Sequence, residues 1–144
     1  MCLVIKLRHR NIFTGKWKPK VLKKDLLVFK VLRNTNDGII TPYFKKSIRF
    51  NELGVCKLKA YSKQDFTSTV YVNDINRFHA EKSGCGYHAY LKIEDAYDDA
   101  IKATDFINKK QFEIHLATIP AGSLVYFGKF GDICANQMLI YENH

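Results

Sequence analysis

Short apolar runs separated by turn-forming residues recur along the last third of the chain. Residues 111–141 hold three of them, interrupted at residues 120–122 and 128–132, where glycine or proline occurs. Runs of about four to eight residues bounded in this way are typical of β-strands. The pattern therefore predicts a β-meander that forms the core of the protein.

The same reasoning predicts strands earlier in the chain, where β-branched and aromatic residues stand in short runs. Behind the first of them, residues 34–38 tolerate a left-handed backbone and predict a turn. The predicted strands lie near residues 26–33, 66–72, 86–91, 112–119, 123–127 and 133–141.

One amphipathic helix is predicted over about residues 93–108. Apolar residues recur there at the i, i+3, i+4 and i+7 positions of a single stripe. We expect the middle of this stripe, at Ala100 and Ile101, to be buried against the sheet. Acidic residues off the stripe are expected in solvent: Asp98, Asp99 and Asp105.

These elements predict an α+β fold, with a twisted, mostly antiparallel sheet and one main helix on one face. A chain of 144 residues is the size of one ordinary domain and can bury about 70% of the surface that its unfolded form exposes. We expect residues 25–144 to form this single domain. Residues 1–24 are expected to form a basic N-terminal arm, with a short strand at residues 2–7.

The positive charge of the chain is concentrated in this basic arm. The formal net charge is +9, and eight of the 23 lysines and arginines lie in residues 1–24, which contain no Asp or Glu. The other 15 are nearly balanced by 14 acidic residues. A charge confined in this way predicts contact with an acidic protein surface or with nucleic acid. The residues expected to make it are Lys6, Arg8, Arg10, Lys16, Trp17, Lys18, Lys20, Lys23 and Lys24.

The arm beyond its short strand shows neither helical nor alternating periodicity and contains Gly15 and Pro19. We therefore expect it to be mobile. Trp17, the single tryptophan of the chain, stands among lysines. It either anchors the arm onto the domain or anchors a partner, and the sequence leaves both readings open.

Cysteine usage and hydropathy narrow the class of protein. The four cysteines are widely spaced, which predicts free thiols in a reducing compartment and no disulfide framework. Cys85 and His88 have the spacing of two zinc ligands but lack a matching pair, so no metal site is predicted. No apolar run approaches the roughly 20 residues of a membrane helix, and the first residues do not resemble a signal peptide. We therefore expect no secretion by a signal peptide and no membrane contact.

Sequence motifs of common enzymes are absent. The chain contains no phosphate-binding loop, dinucleotide fingerprint, nucleophile elbow or H-E-x-x-H zinc motif. No catalytic residue and no cofactor are therefore predicted, and enzymatic activity is disfavoured.

Four segments carry a resemblance that covers the whole chain: residues 1–6, 25–33, 85–90 and 117–141. Together they resemble small proteins of tailed bacteriophages and of mobile elements from gut bacteria. This resemblance implies an accessory or virion-associated role. It also implies a location in the host cytoplasm or in the virion.

At a greater distance, the order of elements is similar to a reduced ADP-ribosyltransferase fold. In that fold an early strand carries an arginine or histidine for NAD, a middle strand precedes a helix, and a late strand begins with the catalytic glutamate. The resemblance assigns Arg33 to the first position, Tyr87 and His88 to the second and Gln137 to the third. Because glutamine lacks the negative charge that stabilises an oxocarbenium-like transition state, the resemblance implies a ligand-binding cleft without transfer chemistry.

We therefore expect a non-enzymatic binding protein that contacts an acidic partner through the basic arm. Two alternatives stay open. One is a divergent ADP-ribosyltransferase or NAD-cleaving enzyme, and the other is an anti-defence protein that sequesters a nucleotide. The sequence does not choose an oligomeric state.

Overall fold

A computed structural model describes residues 3–14, 17–41, 46–58, 60–68, 79–80, 86–103 and 111–143 of the chain. The strands within these residues, numbered in chain order, are β1 (Leu3–Val4), β2 (Lys20–Val21), β3 (Leu26–Thr35), β4 (Gly38–Ile40), β5 (Ser47–Ile48), β6 (Val55–Leu58), β7 (His79–Ala80), β8 (Tyr87–Tyr90), β9 (Gln111–Ile119), β10 (Leu124–Phe127), β11 (Asp132–Ala135) and β12 (Met138–Tyr141). The α-helices are α1 (Lys63–Ser68) and α2 (Ile93–Ala103), and a short 3-10 turn covers Leu7–His9.

One sheet contains most of the described strands. Eight of them follow the order β2-β10-β11-β8-β3-β9-β12-β6, and β4 and β5 extend from the end of β3. β1 and β7 pair with each other apart from this sheet. Every pairing between described strands is antiparallel. The prediction of a mostly antiparallel sheet with one main helix is confirmed, although the fold is more dominated by the sheet than the sequence suggested.

The centre of the sheet is the ladder between β3 and β9. It holds nine residue pairs, from Leu26 opposite Ile119 to Asn34 opposite Gln111. Successive side chains of a strand point to opposite faces, so Val28 shares one face with its partner Ala117, and both are fully buried. The main hydrophobic cluster lies on this face and includes side chains of β6, β8, β11 and β12.

Five of the six predicted strand regions are confirmed in type, with one change at the C-terminal end. The predicted strand 133–141 is two strands, β11 and β12, separated at Asn136 and Gln137. Asn136 interrupts the strand because its side chain forms hydrogen bonds with two other segments of the chain. Its Oδ1 accepts a hydrogen bond from the Leu124 amide at 2.9 Å, and its Nδ2 donates to the Tyr61 carbonyl at 3.0 Å.

The strand predicted over residues 66–72 is wrong where the structure describes it. Residues 66–68 belong to helix α1, and residues 69–72 lie outside the described residues. Ser62 starts this helix by accepting a hydrogen bond from the Asp65 amide at its Oγ, 3.2 Å away. Phe66 is fully buried against Tyr126, with the ring centroids 5.3 Å apart. Capping and the burial of one aromatic ring therefore override the β propensity of this stretch.

Helix α2 begins where it was predicted, but only part of its apolar stripe is buried, and Ala100 is half-buried. Ile101 is 68% exposed and Tyr97 is 54% exposed, whereas Ala96 is fully buried and Asp99 is 5% exposed. The predictions that Ile101 is buried and that Asp99 is in solvent are therefore wrong. Asp98 is exposed as predicted, whereas Asp105 and the predicted end of the helix at residues 104–108 lie outside the described residues.

The connection between β8 and α2 explains this rotation of the helix. Only two residues separate Tyr90 from Ile93, and the first of them, Leu91, donates its amide to the Gly131 carbonyl at 2.9 Å. The Asp95 carboxylate also lies against Gly131, where an added Cβ would meet its Oδ2 at 2.5 Å. These contacts hold the first turn, so the helix presents the small side chain of Ala96 to the sheet and its larger apolar residues to solvent.

Asp99 is buried, and its charge acts on a second buried carboxylate, Asp132 of β11. Burial raises the pKa of Asp132, and the nearby charge of Asp99 raises it further, while backbone hydrogen bonds and His88 act against the rise. The face of α2 that packs on the sheet is therefore partly polar, which hydrophobic periodicity alone cannot reveal.

The start of the chain packs against the domain, which differs from the mobile arm that the sequence predicted. Ile5, Trp17 and Leu22 are buried. Ile5 and Trp17 belong to a second hydrophobic cluster with side chains of α1, β10 and β11. Trp17 thus anchors the segment onto the domain, which is one of the two readings left open by the sequence. Of the predicted strand at residues 2–7, the structure describes β1 and an isolated bridge from Ile5 to Gly128.

Candidate functional site

The basic arm folds into a hairpin, formed by residues 9–10 and 17–18, at the edge of the sheet. Arg10 and Trp17 form a β-bridge, and the Lys18 amide donates to the His9 carbonyl at 2.9 Å. The chain then continues into β2, which pairs with β10 and forms one end of the strand order. This N-terminal hairpin therefore lies beside an edge strand, where its outer side chains are open to solvent.

His9 fastens the N-terminal hairpin to the sheet with both of its ring nitrogens. Its Nε2 accepts a hydrogen bond from the Phe127 amide at 3.0 Å, so the ring proton must lie on Nδ1, which then donates to the Lys18 carbonyl at 3.1 Å. The imidazole is 6% exposed. In this neutral tautomer the ring connects both arms of the hairpin, at His9 and Lys18, to Phe127 of β10.

The surroundings of His9 keep this imidazole neutral. Its pKa is lowered from the ordinary value of 6.5, first because burial penalises the charged form and also because Arg8, Lys20 and Lys6 are close by. The hydrogen bond to the Lys18 carbonyl opposes this change. A proton on Nε2 would also eliminate the hydrogen bond from the Phe127 amide. The histidine therefore holds the hairpin on β10 through its hydrogen bonds and adds no charge to its surroundings at neutral pH.

A cleft of about 360 Å³ opens next to this histidine and is lined by residues 8–11 and 18–20. We refer to it as the basic cleft because four of its seven lining residues are cations: Arg8, Arg10, Lys18 and Lys20. Arg8, Lys18 and Lys20 are exposed, and Arg10 is half-buried. The cleft is within the size range of small-molecule and anion sites.

None of these four cations forms an ion pair with a carboxylate of the described residues. The one ion pair found among those residues joins His115 to Glu113, both on β9. Residues 1–24 contain no acidic residue that could neutralise the cleft. Arg10 in addition has a buried Nε with no acceptor among the described residues. The cleft therefore concentrates positive charge that the described part of the chain leaves unpaired, and it is suited to an anionic ligand.

The ring of Phe127 on β10 supports two of the cations. The Arg8 guanidinium lies 4.5 Å from the ring centroid and the Lys20 ammonium 5.9 Å from it. Cation–π contact holds a charged group in place without neutralising it. The ring also stacks on His9, with the centroids 6.2 Å apart. Phe127 thus orders the cleft while leaving its charge available to a ligand.

The chemistry of the basic cleft favours binding over catalysis. Its lining contains no carboxylate, thiol or hydroxyl group. The one group that titrates near neutrality, His9, has both ring nitrogens engaged in backbone hydrogen bonds. The lining therefore offers many donors for an anion, and its only amines are those of the exposed Lys18 and Lys20.

The residues predicted for the arm differ in their burial and in whether they line the cleft. Trp17 is buried, and Lys23 and Lys24 are exposed but do not line the cleft. The backbone amide of Lys6 donates to the Phe127 carbonyl at 2.9 Å. Lys16 lies outside the described residues. The structure also adds lining residues that sequence reasoning missed: His9, Asn11 and Pro19.

His9 had no clear signal in the sequence, because a histidine between two arginines reads as part of a charge run. Its role depends on a contact with Phe127, which lies 118 positions away in the chain. Only the folded chain brings these two residues together.

The residues assigned by the ADP-ribosyltransferase resemblance do not line a common cleft. Leu27 lies opposite Thr118, and Thr118 lies opposite Leu139. Because β3 and β12 are both antiparallel to β9, they run in the same direction, with Leu27 level with Leu139. Arg33 lies beyond Leu27 and Gln137 lies before Leu139, so the two residues are near opposite ends of the sheet. At about 3.3 Å per residue, the two are separated by more than roughly 20 Å along the strands.

Tyr87 and His88 are consecutive residues of β8, so their side chains point to opposite faces of the sheet. Tyr87 is buried, and its hydroxyl accepts a hydrogen bond from Lys46 Nζ at 3.1 Å. His88 is half-buried on the other face, close enough to Asp132 to influence its pKa. The geometry therefore gives no support to a shared NAD site built from these residues.

Neither a metal-binding cluster nor a membrane-spanning helix is found in the described part of the chain. No group of three or more His, Cys, Asp or Glu side chains there could hold a metal ion. Cys85 and Cys2 lie outside the described residues, whereas Cys56 and Cys134 are buried and form no disulfide within the described part of the chain. No helix within the described ranges is long and apolar enough to cross a membrane.

Comparison with known proteins adds no assignment: no protein-family model, no curated protein and no solved structure matches this chain. The two resemblances noted from the sequence therefore stay predictions. The chemistry of the basic cleft is the basis for a functional hypothesis.

Proposed function

We propose that this chain is a non-enzymatic binding protein that holds the phosphate backbone of a nucleic acid in its basic cleft. The observation that carries this proposal is the set of four cations, Arg8, Arg10, Lys18 and Lys20, around one cleft with no carboxylate partner among the described residues. Phosphate contacts of this kind supply most of the sequence-independent affinity for nucleic acids.

Nucleic acid fits this cleft better than an acidic protein surface does. The cleft combines two guanidinium groups, which bind phosphate oxygens in pairs, with two ammonium groups, which act as point charges. A nucleic acid strand presents phosphates at short and regular intervals, so several of these cations can be engaged together. Carboxylates of a protein surface are usually diluted by lysines and arginines of the same surface.

The resemblance to small phage proteins, which stays a prediction, implies where this activity would take place. A nucleic-acid-binding accessory protein would act on the genome in the particle or on nucleic acid in the infected cell. Sequestration of a single nucleotide and cleavage of NAD are less well supported, because Arg33 and Gln137 lie far apart and the basic cleft has no catalytic group.

The test is a salt titration of binding to a fluorescent mixed-sequence oligonucleotide, followed by anisotropy. Since each neutralised phosphate releases a condensed counterion, log affinity should fall with log salt by roughly 0.7–0.9 per contact. The double variant Lys18→Gln, Lys20→Gln should lower the slope by about two such contacts. Point substitutions are preferable to deletion of the arm, because deletion would also remove the buried Ile5 and Trp17.

A matched control is the double variant Lys23→Gln, Lys24→Gln. It removes the same charge from exposed lysines of the same segment that do not line the cleft. This control should keep the slope of the unmodified protein to within one contact. Equal losses in the two double variants, or no binding at low salt, would contradict the proposal. Binding to polyglutamate without binding to nucleic acid would indicate an acidic protein partner instead.

A further inference from the structure

The tip of the N-terminal hairpin exposes two large apolar side chains. Ile12 is 85% exposed and Phe13 is 92% exposed, the highest value among the large hydrophobic residues described. Apolar side chains left in water beside a strongly charged surface often mark a contact site. This tip belongs to the same hairpin as the basic cleft, yet binding of phosphates alone would not require it.

The backbone beneath Phe13 is ordered by a side chain of the cleft itself. Asn11 Oδ1 accepts hydrogen bonds from the Phe13 amide at 2.9 Å and from the Thr14 amide at 3.2 Å. Asn11 also lines the basic cleft. Two residues of chain span at most about 7 Å, so the Phe13 ring is attached within a short distance of the cleft. A nucleotide whose phosphate lies in the cleft therefore has an aromatic ring within reach of its base.

Aromatic rings bind unpaired bases because every base presents a π face that can stack on them. In a duplex both faces of each base are already stacked, so an exposed ring gains little from contact with it. Proteins that bind single strands without sequence preference combine a positive groove with such rings. The N-terminal hairpin holds both parts, with cations at its base and Phe13 at its tip.

We infer that Phe13 is a stacking platform for a base and that the hairpin binds single-stranded nucleic acid in preference to duplex. This inference rests on the proposed function, since the cations of the basic cleft must hold the phosphates. Ile12 precedes Phe13 in the chain and is 85% exposed, so it would be available to contact the edge of a base or the sugar. A lipid surface is the rival occupant for an apolar tip with nearby cations, and binding to vesicles distinguishes it from a single strand.

The experiment compares a short mixed-sequence single strand with the duplex of the same sequence, using the full chain. Phe13→Ala should weaken single-strand binding on the order of tenfold. Duplex binding should change less than about twofold, and the salt slope should stay the same, because the phosphate contacts remain. Phe13→Tyr should retain the single-strand affinity, since the aromatic face is kept. Both substitutions are at a residue that is 92% exposed, so folding should not be affected.

A spectroscopic version tests the stacking directly. In the variant Phe13→Trp, the new indole at the exposed tip adds its emission to that of the buried Trp17, and a stacked base should quench the added emission when single strand is added. Duplex should quench it much less. Quenching that is equal for both, or absent while anisotropy shows binding, would overturn the stacking role.

The outcomes separate the two hypotheses. If the protein binds single strand and duplex equally with a steep salt slope, and Phe13→Ala has no effect, the stacking inference fails and the proposed function stands. If no nucleic acid binds at low salt, both fail. If vesicles containing anionic lipid are bound and Phe13→Ala abolishes that binding while single-strand affinity is unchanged, the tip is a membrane contact and the inference is overturned.

Discussion

The central ladder of β3 and β9 and the N-terminal hairpin are held in place by different means. The ladder has nine residue pairs, and Val28, Leu32, Ala117 and Ile119 are fully buried on one of its faces. The hairpin connects to the sheet through the two pairs of β2 with β10, the burial of Ile5 and Trp17, and the two hydrogen bonds of His9. The ladder therefore depends on apolar burial along its length, whereas the hairpin depends on a few anchors.

This difference shows how a basic segment can be ordered and still present its charge. In the hairpin the anchoring is assigned to Trp17, Ile5 and a neutral histidine, so Lys18 and Lys20 are not needed for packing and stay exposed. A segment held by few anchors should also be easier to detach than the ladder. The substitutions below test whether the two regions respond in these different ways.

The largest effect is expected from Ile119→Ala in the ladder. Ile119 is fully buried opposite Leu26, and truncation of such a side chain costs about 2–5 kcal/mol of unfolding free energy. Denaturant unfolding measures this loss, and circular dichroism and Trp17 fluorescence should shift together because the ladder supports the whole fold. The control Leu116→Ala, on the same strand but 46% exposed, should cost about 1 kcal/mol or less. Equal costs for the two would show that the buried face does not carry the stability of the ladder.

An intermediate effect is expected where α2 packs on the ladder. Ala96→Leu places three extra carbons at a fully buried position and should cost about 1–3 kcal/mol. Ile101→Ala, on the exposed stripe of the same helix, should change the unfolding free energy by about 0.5 kcal/mol or less. The denaturant midpoints of the two variants decide this. A large loss for Ile101→Ala together with a neutral Ala96→Leu would mean that α2 buries its apolar stripe after all.

The smallest and most local effect is expected at the hairpin on acidification. The folded pKa of His9 lies below the ordinary 6.5 because of burial and nearby cations, so the unfolded hairpin takes up the proton first as the pH falls. The stabilisation from neutral His9 is therefore complete above about 6.5 and is lost as the pH decreases through the lowered folded pKa. Trp17, the single tryptophan, should report the loosening by its fluorescence while circular dichroism stays constant.

His9→Gln provides the matched variant for this acid transition, because an amide can donate and accept hydrogen bonds but does not titrate. It should remove the pH dependence of Trp17 fluorescence near neutrality. A transition that persists unchanged in His9→Gln would assign the acid sensitivity to another group. A transition in which circular dichroism and fluorescence move together would show that the hairpin is no less firmly held than the ladder.

Much of the sheet could be predicted from the sequence because its signals are local. The runs that form β3, β9 and β10 combine β-branched and aromatic residues with turn residues at their ends, and these properties do not depend on distant partners. The strands β4, β5 and β6 were missed: β4 and β5 have only three and two residues, and β6 stands in a stretch that mixes apolar and basic residues. Residues 66–68 were assigned to a strand because the cap at Ser62 and the buried contact of Phe66 with Tyr126 are not visible as periodicity.

The sequence predicted the positive charge of the candidate site but not the arrangement of its residues. The absence of acidic residues from positions 1–24 already indicated an anionic partner. The sequence did not show which of the eight cations share a cleft, because that depends on the bridge between Arg10 and Trp17 and on the contact of His9 with Phe127. Phe13 also gave no signal, since an isolated aromatic residue is as often buried as exposed.

Three features follow from local sequence alone: the main strands, the start of the helix at Ile93 and the concentration of charge in the basic arm. Tertiary structure decided which faces are buried. The larger side chains of the apolar stripe of α2 face solvent because short connections to β8 and Gly131 orient the helix. The described part of the basic arm is ordered because Trp17 and His9 contact residues far along the chain. Burial is a relation between segments, so periodicity within one segment can suggest it but cannot determine it.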